Sequence, residues 1–138
     1  MNKPKYFLIP IIALVITGFP ACLPEDDGDP FNDPRDKFIA TWKVAENCTR
    51  GNYSSTISAD PSNSSQVLIS NFGNPGPGYD PAVGLVVGST VFVSSQTIGE
   101  SWTVSGEGIY DTGSNTISWT YSLDIAGSNM SCTAEYWQ

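Results

Sequence analysis

The chain has 138 residues, of which 14% are charged, with a formal net charge of −8 and no histidine. That length holds one domain with one core. The acidic surplus is at odds with nucleic acid as a partner and with direct adsorption to anionic lipid, and without histidine the Ser-His-Asp and Cys-His catalytic machineries are excluded and zinc loses its commonest nitrogen ligand.

The first 22 residues, MNKPKYFLIPIIALVITGFPAC, begin with Lys3 and Lys5, continue through an apolar stretch from Tyr6, and end in small residues before a cysteine. This is the pattern of a secretory signal. The alternative, an uncleaved transmembrane helix, needs about 20 uninterrupted apolar residues, and Pro10 and Pro20 break the run. Phe19-Pro20-Ala21-Cys22 resembles the lipobox of bacterial lipoproteins, with Phe19 where that family usually has Leu and Pro20 where it has Ala or Ser. The resemblance implies that residues 1–21 are removed, that Cys22 is lipidated, and that the chain is held to a membrane through it. Cleavage there leaves four basic residues against 14 acidic ones, a net charge of −10.

Residues 22–36 carry Glu25, Asp26, Asp27, Asp29, Asp33 and Asp36 among three prolines. Such a segment has too little apolar surface to order itself and reads as a flexible tether. An acidic run just after the cysteine resembles the export signal of Gram-negative lipoproteins displayed on the outer face of the outer membrane, which implies surface exposure. Asp26, Asp27 and Asp29 lack the alternate spacing and distant Glu of a calcium loop, so no metal is expected there.

From Asp36 onward turn residues recur every 8 to 15 positions, the spacing of an all-β sandwich or barrel. The first strand is read as Phe38–Glu46, with Phe38, Ala40, Trp42 and Val44 on one face. Tyr53–Ala59 is the second, ending at Asp60-Pro61. Gln66–Phe72 is the third, and its parity stays open because Val67, Leu68 and Ile69 are all apolar. A long Gly/Pro connection, 73–81, follows and reads as a mobile surface loop rather than a lid. Ala82–Val87 and Thr90–Ser95 are the fourth and fifth strands, joined by Gly88-Ser89. Ser101–Tyr110 is the sixth, with Gly106 and Gly108 marking a bend or bulge.

The last two strands are the clearest. Ile117, Trp119, Tyr121, Leu123 and Ile125 alternate with polar residues, and after Ala126–Asn129 the alternation resumes through Met130, Cys132, Ala134 and Tyr136. That is a hairpin with one apolar face. No segment has a helical period, although a single turn near 34–37 is allowed.

Eight short strands with tight connections suit an antiparallel up-and-down barrel over 37–138; an open sandwich is the alternative. Cys48, just past the first strand, and Cys132, in the eighth, share inward parity. In a closed barrel these strands are antiparallel neighbours, so a disulfide is expected in an exported chain.

Phe38-Ile39-Ala40-Thr41-Trp42, a small-x-Trp pattern on the first of eight strands, resembles the Gly-x-Trp signature of lipocalins and other calycins, with Ala40 in place of Gly. The chain is also similar to the short lipocalin-like lipoproteins of Gram-negative bacteria. The resemblance implies a lipocalin-like barrel on the outer membrane.

Two candidate sites follow. Tyr79 and Asp80 sit on the long loop at the rim far from the tether, with Glu46 near the mouth. Trp42, Tyr53, Trp102, Trp119, Tyr121 and Tyr136 face the interior, where they form either an aromatic pocket or the packed core of a small barrel. The core is the heavier reading for strands this short. Paired carboxylates for glycoside hydrolysis are poorly placed, since Glu107 and Glu135 have outward parity and Glu46 inward. The sequence therefore predicts a non-enzymatic, cofactor-free protein that binds a small apolar or aromatic molecule, or else contacts a cell-surface protein or glycan through its far-rim loops.

Overall fold

The computed structural model describes residues 32–49 and 51–138. The signal over 1–21, lipidation of Cys22 and the first part of the tether lie outside the described residues.

Alternation of apolar and polar residues makes every strand half-buried, and all eight join one sheet: β1 (Ala40–Glu46), β2 (Gly51–Ala59), β3 (Gln66–Ser70), β4 (Ala82–Val87), β5 (Thr90–Gly99), β6 (Trp102–Asp111), β7 (Thr116–Ile125) and β8 (Ser128–Trp137). Each pairs antiparallel with the next, and β8 returns to β1, so the sheet is a closed up-and-down barrel. The seam pairs Lys43 with Trp137, Val44 with Tyr136, Ala45 with Glu135 and Glu46 with Ala134. Continuing that register puts Cys48 opposite Cys132, and the two form a disulfide with Cα atoms 5.6 Å apart.

Several bounds differ from the sequence reading. Phe38 and Ile39 precede β1, because residues 34–38 form turns that fold back under the barrel. Phe38 is fully buried there, edge-on to Tyr110 at 5.8 Å, and its carbonyl accepts the Trp42 indole N–H at 2.8 Å. In β3 the pairing settles the parity: Val67 and Ile69 are buried, Leu68 is not. The strand stops at Ser70 because Asn71 is left-handed, with φ 59°, a conformation that asparagine tolerates better than most residues.

β5 runs on to Gly99 through a register shift between Val93 and Gln96. The expected bulge thus lies opposite Val104–Gly106 and not on β6. Gln96 fills the gap it opens towards β4: its side chain accepts the Val83 N–H at 2.8 Å and donates to the Val83 carbonyl at 2.9 Å. A side-chain amide there does the work of a missing backbone rung.

The β6 glycines serve the interior instead. A Cβ on Gly108 would stand 2.6 Å from the Trp119 ring, and one on Gly106 would stand 2.4 Å from Tyr121 Cβ. The Trp119 ring therefore lies against bare backbone at Gly108, and at Gly106 the missing side chain lets the β7 backbone at Thr120 and Tyr121 come close.

The tether rim is locked. Arg35 pairs with Asp33 and donates through Nη1 to the carbonyls of Asp60, Asn63 and Gln66, at 3.1 to 3.3 Å. One guanidinium thus ties the incoming chain to the β2–β3 loop.

The disulfide closes a loop with a sequence separation of 84, worth roughly 4 to 5 kcal/mol in the chain-entropy treatment. Reduction is expected to lower the melting temperature by roughly 15 to 30 °C, read by circular dichroism with and without reductant; an unchanged melt contradicts it. Trp119→Ala, which empties a filled part of the lumen, is expected to cost about 3 to 5 kcal/mol in urea unfolding.

Candidate functional site

The β3–β4 connection, residues 71–81, lies across the far mouth of the barrel, and its conformation follows from its composition. Asn71, Gly73, Asn74, Gly76 and Gly78 all have positive φ, between 59° and 93°, which only glycine and asparagine adopt at low cost. The resulting tight course turns Phe72 inward and brings Tyr79 back down onto the wall. The long loop is thus packed over the opening rather than free on the surface.

Phe72 is fully buried. Its ring meets Trp119 edge-on at 5.1 Å and Tyr121 at 4.9 Å. Tyr79 packs edge-on to Trp102 at 5.5 Å and lies so close over Gly99 that a Cβ there would be 2.2 Å from its Cδ1. The Asp80 N–H donates to the Ile98 carbonyl at 2.7 Å, while the Asp80 side chain is exposed. At the other end, Asn71 Nδ2 donates to the Ser54 carbonyl at 3.0 Å. Between these anchors the loop's backbone bonds, from the N–H groups of Asn74 and Gly76, return to Asn71 itself.

Beneath the loop, three polar atoms are buried with no hydrogen-bond partner among the described residues: Trp102 Nε1, Trp119 Nε1 and the Tyr121 hydroxyl. Trp119 is 1% exposed and Tyr121 4%. An unmade bond at a buried donor costs about 1 to 3 kcal/mol, so three in one region are a substantial local cost. Phe72 touches two of these residues, and a Cβ on Gly73 would stand 3.7 Å from the third at Trp102 Nε1.

The remaining candidate residues group differently. Trp42 is fully buried towards the tether side, with its indole committed to Phe38. Tyr53 and Tyr136 belong to a polar group around Glu46. The Glu46 carboxylate accepts bonds from the Thr49 N–H at 3.2 Å, the Thr49 hydroxyl and the Tyr53 hydroxyl at 3.1 Å. Burial, with Tyr136 and Glu46 nearby, pushes the Tyr53 hydroxyl far above its usual range. Burial likewise raises Tyr136, partly offset by the hydroxyls of Ser55 and Tyr53. Glu46 is thus engaged in holding the β1–β2 turn. Glu107 and Glu135 lie exposed on the outer wall, where Glu135 accepts a bond from Ser118 at 2.8 Å.

The outer wall carries open grooves. One of about 450 Å³ is lined by Ala45, Asn47, Ser118, Thr133 and Glu135 among others and reaches Trp119. Leu85, Val87, Phe92 and Ile109 form an exposed apolar strip on β4, β5 and β6. These grooves open to solvent on the outer wall, whereas the unpartnered polar atoms lie under Phe72, so the mouth beneath residues 72–79 is the better candidate site. Sequence reading found its aromatic wall and missed Phe72, which it placed on a strand; the Asn71-Phe72-Gly73 sequence, an apolar residue between two turn formers, is the signal that marks it. Comparison with protein-family models, curated proteins and solved structures finds no match to this chain.

Tyr53 and Tyr136 both have folded-state pKa values above the unfolded value of about 10. Their contribution is fully present below pH 10 and is lost as the pH rises through about 10 towards the folded values. Stability is expected to fall there by up to about 2.7 kcal/mol per pH unit for the pair. Urea unfolding across pH 8 to 11.5 measures this, and a slope unchanged in the Tyr53→Phe, Tyr136→Phe double variant contradicts the assignment.

Proposed function

We propose that the protein is a non-enzymatic, lipid-anchored lipoprotein of the outer membrane, displayed on the cell surface, whose barrel takes up a small apolar or aromatic molecule at the rim far from its anchor. The observation that carries this reading is the unlike treatment of the two rims. The tether rim is locked by Arg35 and filled by Phe38, with the Trp42 indole bonded. The far rim is closed by a side chain from a loop, Phe72, over aromatic rings whose polar atoms have no protein partner among the described residues.

A preformed pocket for a small molecule usually measures about 300 to 1,000 Å³. Here the described lumen is occupied by side chains, so uptake proceeds by exchange: the ligand enters as Phe72 leaves. The contacting residues are Trp102, Trp119 and Tyr121 on the wall and Tyr79 and Asp80 on the loop, while Trp42, Tyr53 and Tyr136 support the wall from within. The membrane is the second partner, through Cys22. The lipobox-like Phe19-Pro20-Ala21-Cys22 supports that anchor, and the acidic tether supports surface display.

Intact-mass and peptide mass spectrometry of protein purified from its native membrane tests the reading. The expected result is a mature chain beginning at a lipidated Cys22, Cys48 linked to Cys132, and a retained small molecule released on denaturation. An unmodified Cys22 removes the anchor. A native preparation that releases nothing and takes up no aromatic probe leaves the far-rim loops as a contact surface for a protein or glycan.

A further inference from the structure

The uptake reading leaves the chemistry of the ligand open, and the far mouth narrows it. We propose that this mouth binds a neutral, flat molecule of one or two rings that carries oxygen or nitrogen acceptors, seated where the Phe72 ring now lies and hydrogen-bonded by Trp102 Nε1, Trp119 Nε1 and the Tyr121 hydroxyl. The inference rests on the uptake reading and adds the ligand's class and the means of its admission.

The ring requirement comes from Phe72, which meets Trp119 at 5.1 Å and Tyr121 at 4.9 Å in edge-on and tilted geometry. A ligand ring in the same place inherits the same contacts. The acceptor requirement comes from the donors. An indole N–H only donates, and two of the three unpartnered atoms are indole nitrogens. In the same barrel the Trp42 indole does find an acceptor, at 2.8 Å. Buried indoles in this fold are thus bonded at the locked end and unbonded beneath the loop. Phe72 offers no acceptor, so the present occupant matches the site in shape and not in polarity.

Neutrality follows from the surroundings. The seat is buried and its lining is uncharged: Trp119 is 1% exposed and Tyr121 4%, and the unpartnered atoms belong to neutral indole and phenol groups. A charge brought there would give up its hydration for neutral donors alone. The means of admission is the loop itself. Between Asn71 and Asp80 it is held to the barrel by two rings, Phe72 and Tyr79, while its inner backbone bonds return to Asn71. Withdrawing those rings frees the mouth without breaking a strand pairing.

The test uses the full chain with its disulfide intact and two neutral probes of similar shape, coumarin, which bears a carbonyl acceptor, and naphthalene, which bears none. Nuclear magnetic resonance titration follows the tryptophan indole N–H signals. Coumarin is expected to shift those of Trp102 and Trp119 while leaving Trp42 in place. Phe72→Ala is expected to bind coumarin about tenfold more tightly than the unaltered chain, because the ring that competes for the seat is gone. Adding Tyr121→Phe should then cost coumarin about five- to tenfold, one hydrogen bond's worth, and leave naphthalene within twofold. Should Phe72→Ala fail to fold, Gly99→Ala, which expels Tyr79, opens the same loop from its other end.

Equal affinity for coumarin and naphthalene overturns the acceptor requirement and leaves uptake standing. Coumarin shifts confined to Trp137 on the outer wall overturn the site. Absence of binding of either probe to the unaltered chain and to both opened variants overturns this inference and the uptake reading together.

Discussion

Everything in this structure depends on the pairing of β8 with β1. An antiparallel sheet of eight short strands has two edges with unpaired backbone groups, and closing it removes both at once. Closure also fixes the inside. Every second residue of all eight strands is committed to one narrow lumen, so the sum of those side chains must match its volume. The seam is made by Lys43–Glu46 against Ala134–Trp137 and is extended by the Cys48–Cys132 bridge two residues further on. Covalent linkage of the first strand's end to the last strand holds that pairing, which has the greatest sequence separation in the fold and therefore the highest entropic cost.

The consequences of closure run through particular residues. The Trp119 ring is too large for the lumen unless β6 gives way, and it does so through Gly108, while Gly106 lets the β7 backbone approach. The register shift in β5 curls the sheet, and Gln96 compensates β4 for the lost rung. The two ends are then stopped by different means. At the tether rim the chain tucks Phe38 beneath Trp42 and pins itself with Arg35; at the far rim a loop inserts one phenylalanine. The first device satisfies its polar atoms and the second leaves three buried donors without a protein partner among the described residues. The two ends are thus closed by unlike means, one with its polar atoms bonded and one without.

Most of the architecture was legible in the residues. The β7–β8 hairpin shows a clean period of two, and the shared inward parity of Cys48 and Cys132 identifies the strands that meet at the seam. What escaped was set by single dihedrals and by long-range contacts. Phe72 continues the apolar run Val67-Leu68-Ile69, and only the left-handed turn at Asn71 lifts it off the strand and into the mouth. The loop after it has the glycines and prolines of a mobile surface connection; Tyr79 packs it onto the barrel only because Gly99 and Trp102, far along the chain, provide a seat. The Arg35 contacts and the Gln96 substitution are side chains completing backbone needs elsewhere, which no local pattern encodes. The inward-facing aromatic residues read as one pool in the sequence, whereas their polar atoms fall into the bonded Trp42, the Glu46-linked tyrosines and the unpartnered group under the loop, with the Trp119 and Tyr136 rings in contact at 5.6 Å.

The central claim is that residues 72–79 open as a unit while the barrel stays closed. Native-state amide hydrogen exchange measures this directly. The account predicts that amides at the mouth exchange through a local opening of low free energy that is insensitive to denaturant, while those of β7 and β8 exchange only with global unfolding. Loop amides protected to the same free energy as β7, with the same denaturant dependence, would contradict it.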